Sequence, residues 1–155
     1  MATRPVRPLD GGLATHLRQA EFTYREVGAT AGALPAGYRH FRISADLGVG
    51  GEVFERARDA LLTWQVQRAA GLQVQSSDPR ITPESVAVLL FRLGPLRLEA
   101  PVRVVDVVDD GTRASFTYGT LPGHPESGEE RFDIHHLDGG RVVFSIVGFS
   151  RPQSR

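Results

Sequence analysis

No cysteine occurs among the 155 residues. That removes disulfides, thiolate nucleophiles, iron–sulfur clusters and cysteine zinc sites together. Lysine is missing too: all eighteen basic residues are arginine, a bias that codon usage in a G+C-rich genome explains. Eighteen acidic residues balance them, so the formal net charge is zero, and the charges are scattered along the chain. A nucleic-acid binder is expected to show a basic patch or stripe. None is visible in the linear sequence, and no nucleic-acid partner is expected. No apolar run approaches the roughly 20 residues that span a bilayer, so no membrane span is expected. Arg4 and Arg7 are not followed by the apolar stretch of a secretory signal, which makes the cytoplasm the expected compartment. Internal repeats and low-complexity linkers are absent.

What remains has the composition of an ordinary globular domain, 41% hydrophobic and 23% charged. A chain of this length buries about 70% of the surface its unfolded form exposes, enough to fold without staples. Asp10 is a candidate N-cap for a short helix over residues 9–20, with Leu13 and Leu17 on one side. Residues 27–37, rich in Gly, Ala and Thr, read as a loop. Residues 38–47 alternate as a half-buried strand, Tyr38, His40, Arg42 and Ser44 opposite Arg39, Phe41, Ile43 and Ala45. Over residues 52–68, Phe54, Ala57, Leu61, Trp64 and Arg68 follow the spacing of one helical face and predict a single long helix. Gly71 is its natural stop.

Strands and turns follow. Residues 72–75 form a short strand, and residues 85–93 are apolar enough for a central one. Residues 96–104 alternate between core and solvent. Asp110-Gly111 predicts a hairpin with a type I′ turn, leading into a strand over 113–120. A Pro- and Gly-rich loop over 121–128 precedes two final strands, 129–137 and 141–151, joined at Asp138-Gly139-Gly140. Hairpin-connected strands with a segregated helix predict an α+β layer fold, a curved antiparallel sheet packed on one long helix.

Four segments carry a family resemblance: FTYREVGAT (22–30), LPAGYRHFR (34–42), YGTLPGHPESGEERF (118–132) and FSRP (149–152). Together they resemble the uncharacterised DUF1990 (UPF0548) family, the 118–132 stretch most specifically. The resemblance divides the chain into an N-terminal extension with a short helix, residues 1–21, and one α+β domain, residues 22–155. It implies a soluble protein with a strand order similar to helix-grip folds of the Bet v 1 and START type. In those folds a bent sheet wraps a long C-terminal helix and encloses an apolar cavity. This sequence stops just after FSRP, where that helix is expected. A second chain covering the sheet face, and hence a homodimer, is the corresponding expectation, since large apolar patches are rare on soluble monomers.

Candidate chemistry concentrates in the loop from Gly119 to Glu130. His124 with Glu126 or Glu129 forms a candidate acid–base pair, because an imidazole beside a carboxylate titrates near neutrality. The structural alternative is a rigid connection set by Pro122, Pro125, Gly123 and Gly128. Ser127 or Ser150 with His124 lacks the GxSxG elbow, and no metal spacing such as HExxH is present, so no metal or other cofactor is expected. Gly48 to Glu52 lacks both the Walker lysine and the GxGxxG spacing, and reads as a strand-to-helix turn. Tyr24, Tyr38, Trp64, Tyr118, Thr120, Glu130 and Arg151 are the candidate ligand contacts, most of them aromatic groups with polar tips or charged groups near the loop. The leading functional expectation is binding of a small apolar molecule between sheet and helix. Catalysis by His124 and the loop carboxylates, and a structural or dimerisation role, are the alternatives.

Overall fold

The computed structural model describes residues 4–153. In chain order the elements are β1 (Arg7–Pro8), α1 (Gly11–Gln19), a 3-10 turn (Ala29–Ala31), β2 (Arg39–Val49), α2 (Gly51–Leu61), α3 (Gln65–Ala69), β3 (Gln73–Ser76), β4 (Val86–Leu93), β5 (Leu96–Asp109), β6 (Arg113–Thr120), β7 (Glu126–His136) and β8 (Arg141–Pro152). The strands form one eight-stranded sheet in the order β1-β3-β4-β5-β6-β7-β8-β2. Every pairing is antiparallel except β1 with β3. Register shifts at Val104/Asp106 in β5 and Asp46/Gly48 in β2 are the irregularities that bend long strands. The expected α+β fold, a curved sheet packed on helix, is the one observed. Among the described residues no helix is long and apolar enough to cross a membrane.

Each sheet face has its own cover. The inner face carries α2 and α3 over Ala87, Leu89, Ala100, Val102, Val104, Ala114, Phe116, Phe132 and Ile134. The outer face carries α1, whose Ala14 and Leu17 pack with Leu9 on Val86, Val88, Leu90 and Leu121. Because β4 is sandwiched between both layers, its first five residues are all buried, as its unbroken apolar run predicted. Asp10 caps α1 as expected, its Oδ2 accepting from the Leu13 amide at 3.0 Å. Arg103 closes the other end, donating to the Leu17 and Ala20 carbonyls at 2.8 and 2.6 Å with its guanidinium over the Phe22 ring.

The single long helix expected over residues 52–68 is two helices. The break falls at Leu62–Trp64, where Trp64 adopts left-handed backbone angles (φ 65°, ψ 20°). That conformation costs a non-glycine residue about 1–2 kcal/mol. Burying an indole of roughly 200 Å² at about 25 cal/mol per Å² returns up to about 5 kcal/mol, so burial wins. Trp64 is completely buried beside Leu61 and Leu62. A continuous helix would carry Leu62 about 100° away from Leu61, whereas the break buries both. The carbonyls freed by the break find other donors: Leu62 accepts from the Ile81 amide at 2.8 Å, and Thr63 from Arg68 Nη2 at 3.0 Å.

Three further expectations change. Strand β2 is not half-buried: only Phe41 is partly covered, while Ile43 is 56% and Val49 65% exposed. It is an edge strand that α2 reaches only near Gly48, so alternation gives it two faces but little packs on most of either. The β5–β6 connection is not a type I′ turn, because Gly111 lacks the positive φ which that turn requires. Instead Asp110 Oδ1 accepts from the Thr112 and Arg113 amides at 2.8 and 2.9 Å. The loop expected over 121–128 ends earlier, with β7 beginning at Glu126. Gly128 (φ 154°) allows this, since any Cβ there would collide with the Phe149 carbonyl of β8.

Candidate functional site

Successive residues of a strand point to opposite sheet faces, and this separates Glu129 from Glu130. Glu129 lies on the outer face, fully buried. Its Oε1 accepts from the Tyr24 hydroxyl at 2.7 Å and the Gly28 amide at 2.7 Å. Its Oε2 accepts from the Thr30 amide at 3.1 Å and the Thr30 hydroxyl at 2.6 Å. Burial, and then the Glu129 charge, push the Tyr24 phenol far above its ordinary pKa. Four donors on one carboxylate pin the segment preceding β2 onto the sheet, and Gly119 leaves the space in which the Tyr24 hydroxyl sits. This carboxylate is an anchor with no free lone-pair direction for a substrate.

The other loop candidates do not converge on a shared site, although Glu126 Oε2 is buried without a hydrogen-bond partner among the described residues. His124 Nδ1 accepts from the Glu126 amide at 2.9 Å, which requires a neutral ring at that nitrogen. Glu126 itself lies 4.0 Å from Arg39. Among the described residues, no side-chain hydrogen bond joins His124 to a carboxylate. Thr120 bonds the Thr23 hydroxyl at 2.5 Å and accepts from the Gly128 amide at 3.0 Å. Thr23, Ser127 and Arg151 edge a cleft of about 500 Å³, but the Thr23 and Ser127 hydroxyls satisfy each other at 3.0 Å. Tyr38 donates to Glu26 at 3.0 Å, and the Arg151 guanidinium stacks 4.2 Å over its ring. Arg151 thus faces an aromatic ring and not the loop glutamates.

The inner face is different. Phe41, Gly148, Glu130, Tyr118 and Val104 form one lateral row across β2, β8, β7, β6 and β5. The Phe41 ring occupies the space over Gly148 that a side chain would fill. Trp64 stacks on Tyr118 with centroids 6.1 Å apart, and Phe132 lies 5.3 Å from the same ring. Gln67, one turn along from Trp64, is buried with its carboxamide directed at the Tyr118 hydroxyl, in a contact short of good hydrogen-bond geometry. Trp64 Nε1 and both polar atoms of Gln67 are buried with no hydrogen-bond partner. Glu130 sits at the half-buried mouth of this group, and among the described residues no hydrogen bond or ion pair holds it. Beside it runs an apolar strip of Ile146, Phe144 and the exposed Ile43.

Three of the sequence candidates, Trp64, Tyr118 and Glu130, therefore meet on the inner face, while Tyr24, Tyr38, Glu129 and Arg151 belong to the outer face and the sheet edge. Gln67 was not anticipated. Its signal was a polar residue beside the apolar stripe of α2 and α3, three positions after Trp64.

Burial holds the His124 imidazole down at about 4 and pushes the Glu130 carboxyl up to about 7. The two act on stability in opposite senses. Folded His124 refuses a proton that the unfolded chain takes up near 6.5, so its contribution is present above pH 6.5 and is lost as pH falls toward 4. Folded Glu130 keeps a proton that the unfolded chain releases near 4.5, so its contribution is full below pH 4.5 and is lost as pH rises toward 7.

Comparison with known proteins places this geometry in context. The family model described as a domain of unknown function, DUF1990, matches residues 23–155. A UPF0548 protein of Deinococcus radiodurans is 34% identical over 160 residues, covering 96% of this chain and 81% of that protein. A UPF0548 protein of Arabidopsis thaliana is 33% identical over 114 residues, 68% of this chain and 54% of that protein. Among solved structures, a hypothetical protein from Helicobacter pylori aligns with a TM-score of 0.55 at 8% identity, over 85% of this chain and 79% of that one. Ara h 8.0201 aligns with a TM-score of 0.51 at 12% identity, over 76% of this chain and 80% of that one. These structural likenesses concern the fold alone, which is helix-grip-like and of the Bet v 1 type.

Two predictions follow from this geometry. Glu129→Gln places an amide among donors and is expected to cost about 3 kcal/mol in urea unfolding, and Thr30→Val about 1–2 kcal/mol. A Glu129→Gln protein as stable as the parent would contradict the anchoring role. Between pH 4.5 and 6.5 the opposed titrations flatten the stability profile. Glu130→Gln should expose a decline toward acid, and His124→Asn a decline toward neutrality, each about 2 kcal/mol after allowing for partial solvent screening. Superimposable profiles for the three proteins would contradict the assignment.

Proposed function

We propose, taking as premise that this chain belongs to the DUF1990 (UPF0548) family, that the domain binds a small, largely apolar molecule on the inner sheet face, with a carbonyl-type oxygen directed at Glu130, Gln67 and Trp64. The observation that carries this reading is the set of unpaired polar groups around Tyr118. Leaving a buried donor or acceptor unsatisfied costs about 1–3 kcal/mol, and native interiors hold few of them. Trp64 Nε1 is a buried donor without an acceptor, and the Gln67 amide has only its poorly formed contact with the Tyr118 hydroxyl. Glu130, with its proton retained to about pH 7, is a third. A ligand carbonyl oxygen, with two lone pairs, accepts from Glu130 and from one of the buried donors, and its apolar body has the strip of Phe41, Ile43, Phe144 and Ile146 to lie along.

This seat differs from the enclosed cavity first expected. The space between α2–α3 and the sheet is filled by Phe54, Leu61, Trp64, Phe116 and Phe132. The ligand reaches the polar group from its flank, at Glu130, and displaces protein side chains there. The similarity in fold to Ara h 8.0201 supports a sheet-and-helix scaffold for the seat and carries no ligand identity.

Trp64 is the only tryptophan, so its emission reports on the seat directly. Titration with 2-decanone, whose oxygen can only accept, is expected to change that emission saturably. Glu130→Leu should weaken binding about tenfold, the equivalent of one hydrogen bond. Affinity should fall as pH rises through 7, because ionised Glu130 no longer donates. An unsaturable response, or equal affinity at pH 6 and pH 8, would overturn the proposal.

A further inference from the structure

Four arginines far apart in sequence, Arg4, Arg68, Arg92 and Arg97, meet at one cleft of about 700 Å³ beside the start of β3. Arg92 and Arg97 are direct cross-strand partners in the β4–β5 hairpin. Like charges in that position repel and destabilise the pair unless something lies between them. Arg68, on α3, donates to the Arg4 carbonyl at 3.3 Å and holds the N-terminal segment against the cleft. The Arg68 Nε is buried without a partner. No carboxylate lines the cleft. Among the described residues none of the four arginines forms an ion pair. Glu99, two residues beyond Arg97 on the same strand, lies outside the lining and pairs with none of them.

A concave surface carrying four uncompensated positive charges concentrates field at its floor and recruits anions. Guanidinium groups present planar forks that match phosphate oxygens two at a time. We propose that this cleft is a binding site for a phosphate-bearing anion, separate from the inner-face seat. The phosphate sits between Arg92 and Arg97, relieving their repulsion, where the β4–β5 hairpin projects past the start of β3, and Arg68 and Arg4 line the same cleft at the sheet edge. The basic patch missing from the linear sequence is created by the fold.

Isothermal titration of the full chain with inorganic pyrophosphate at low ionic strength tests this. The expected result is one saturable site, weakened about tenfold or more in Arg92→Gln/Arg97→Gln and unchanged in Arg25→Gln, an exposed arginine elsewhere. Arg97→Glu creates an attractive cross-strand pair with Arg92, so it should raise Tm while abolishing binding, which separates loss of the site from loss of the fold. Cosedimentation with phosphatidylcholine vesicles containing phosphatidic acid identifies the source of the phosphate. Vesicle binding lost in the double variant assigns a lipid headgroup, and protein remaining in the supernatant assigns a soluble phosphate. Absence of saturable pyrophosphate binding, an equal loss in Arg25→Gln, or vesicle binding that survives the double substitution would overturn the proposal.

Discussion

The left-handed backbone at Trp64 is the constraint on which the inner face depends. It ends α2, drops the indole into the centre of the core, and redirects α3 so that Gln67 comes down beside Tyr118. The strain is small beside the burial it permits, and both freed carbonyls are re-paired by Ile81 and Arg68. What the arrangement does not do is satisfy the polar atoms it buries. The indole N–H and the Gln67 amide lie around Tyr118, whose cross-strand neighbour is the half-buried Glu130, and this is the chemical basis of the proposed seat.

Glu129 and Glu130 show how strongly strand geometry controls the fate of identical side chains. They are neighbours in sequence, share a residue type and lie within 3.4 Å of rise along one strand, by the usual dimensions of about 3.2–3.4 Å per residue. One meets four donors on the outer face and becomes structural. The other meets aromatic rings and solvent, keeps its proton to about pH 7, and remains chemically available. The outer anchor also fixes Tyr24 over Gly119, and with it the loop that leads into β2. Sheet edge, loop and inner face are thus tied to one two-residue step of β7.

Much of the scaffold was legible in the sequence because it rests on local rules. The unbroken apolar run of β4, the Asp10 cap and the Gly139-Gly140 turn each have a local cause that the structure repeats, whereas the alternation expected in β5 fails, with Leu96 60% exposed and Ala100, Pro101 and Val102 buried in succession. The exceptions are non-local. The spacing of Phe54, Ala57, Leu61 and Trp64 is the same for a straight or a broken helix, and only the off-stripe Leu62 hinted at the break. Alternation in β2 declared two faces but said nothing of its place at the sheet edge. Assigning Glu129 to one face and Glu130 to the other requires the register of β6 on β7, which the five-residue Pro- and Gly-rich connection conceals. The arginine cleft is the extreme case, since residues 4, 68, 92 and 97 have no relation until the sheet assembles.

The central claim, that Trp64 Nε1–H is buried without an acceptor until a ligand supplies one, has a direct measurement. The single tryptophan gives one indole N–H resonance in a ¹H–¹⁵N correlation spectrum. The account predicts that in the free protein this resonance is protected from exchange and lies upfield, where indoles without hydrogen bonds are found, and that it moves downfield as 2-decanone saturates the protein. An indole signal already at the hydrogen-bonded position, and unmoved at saturation, would contradict it.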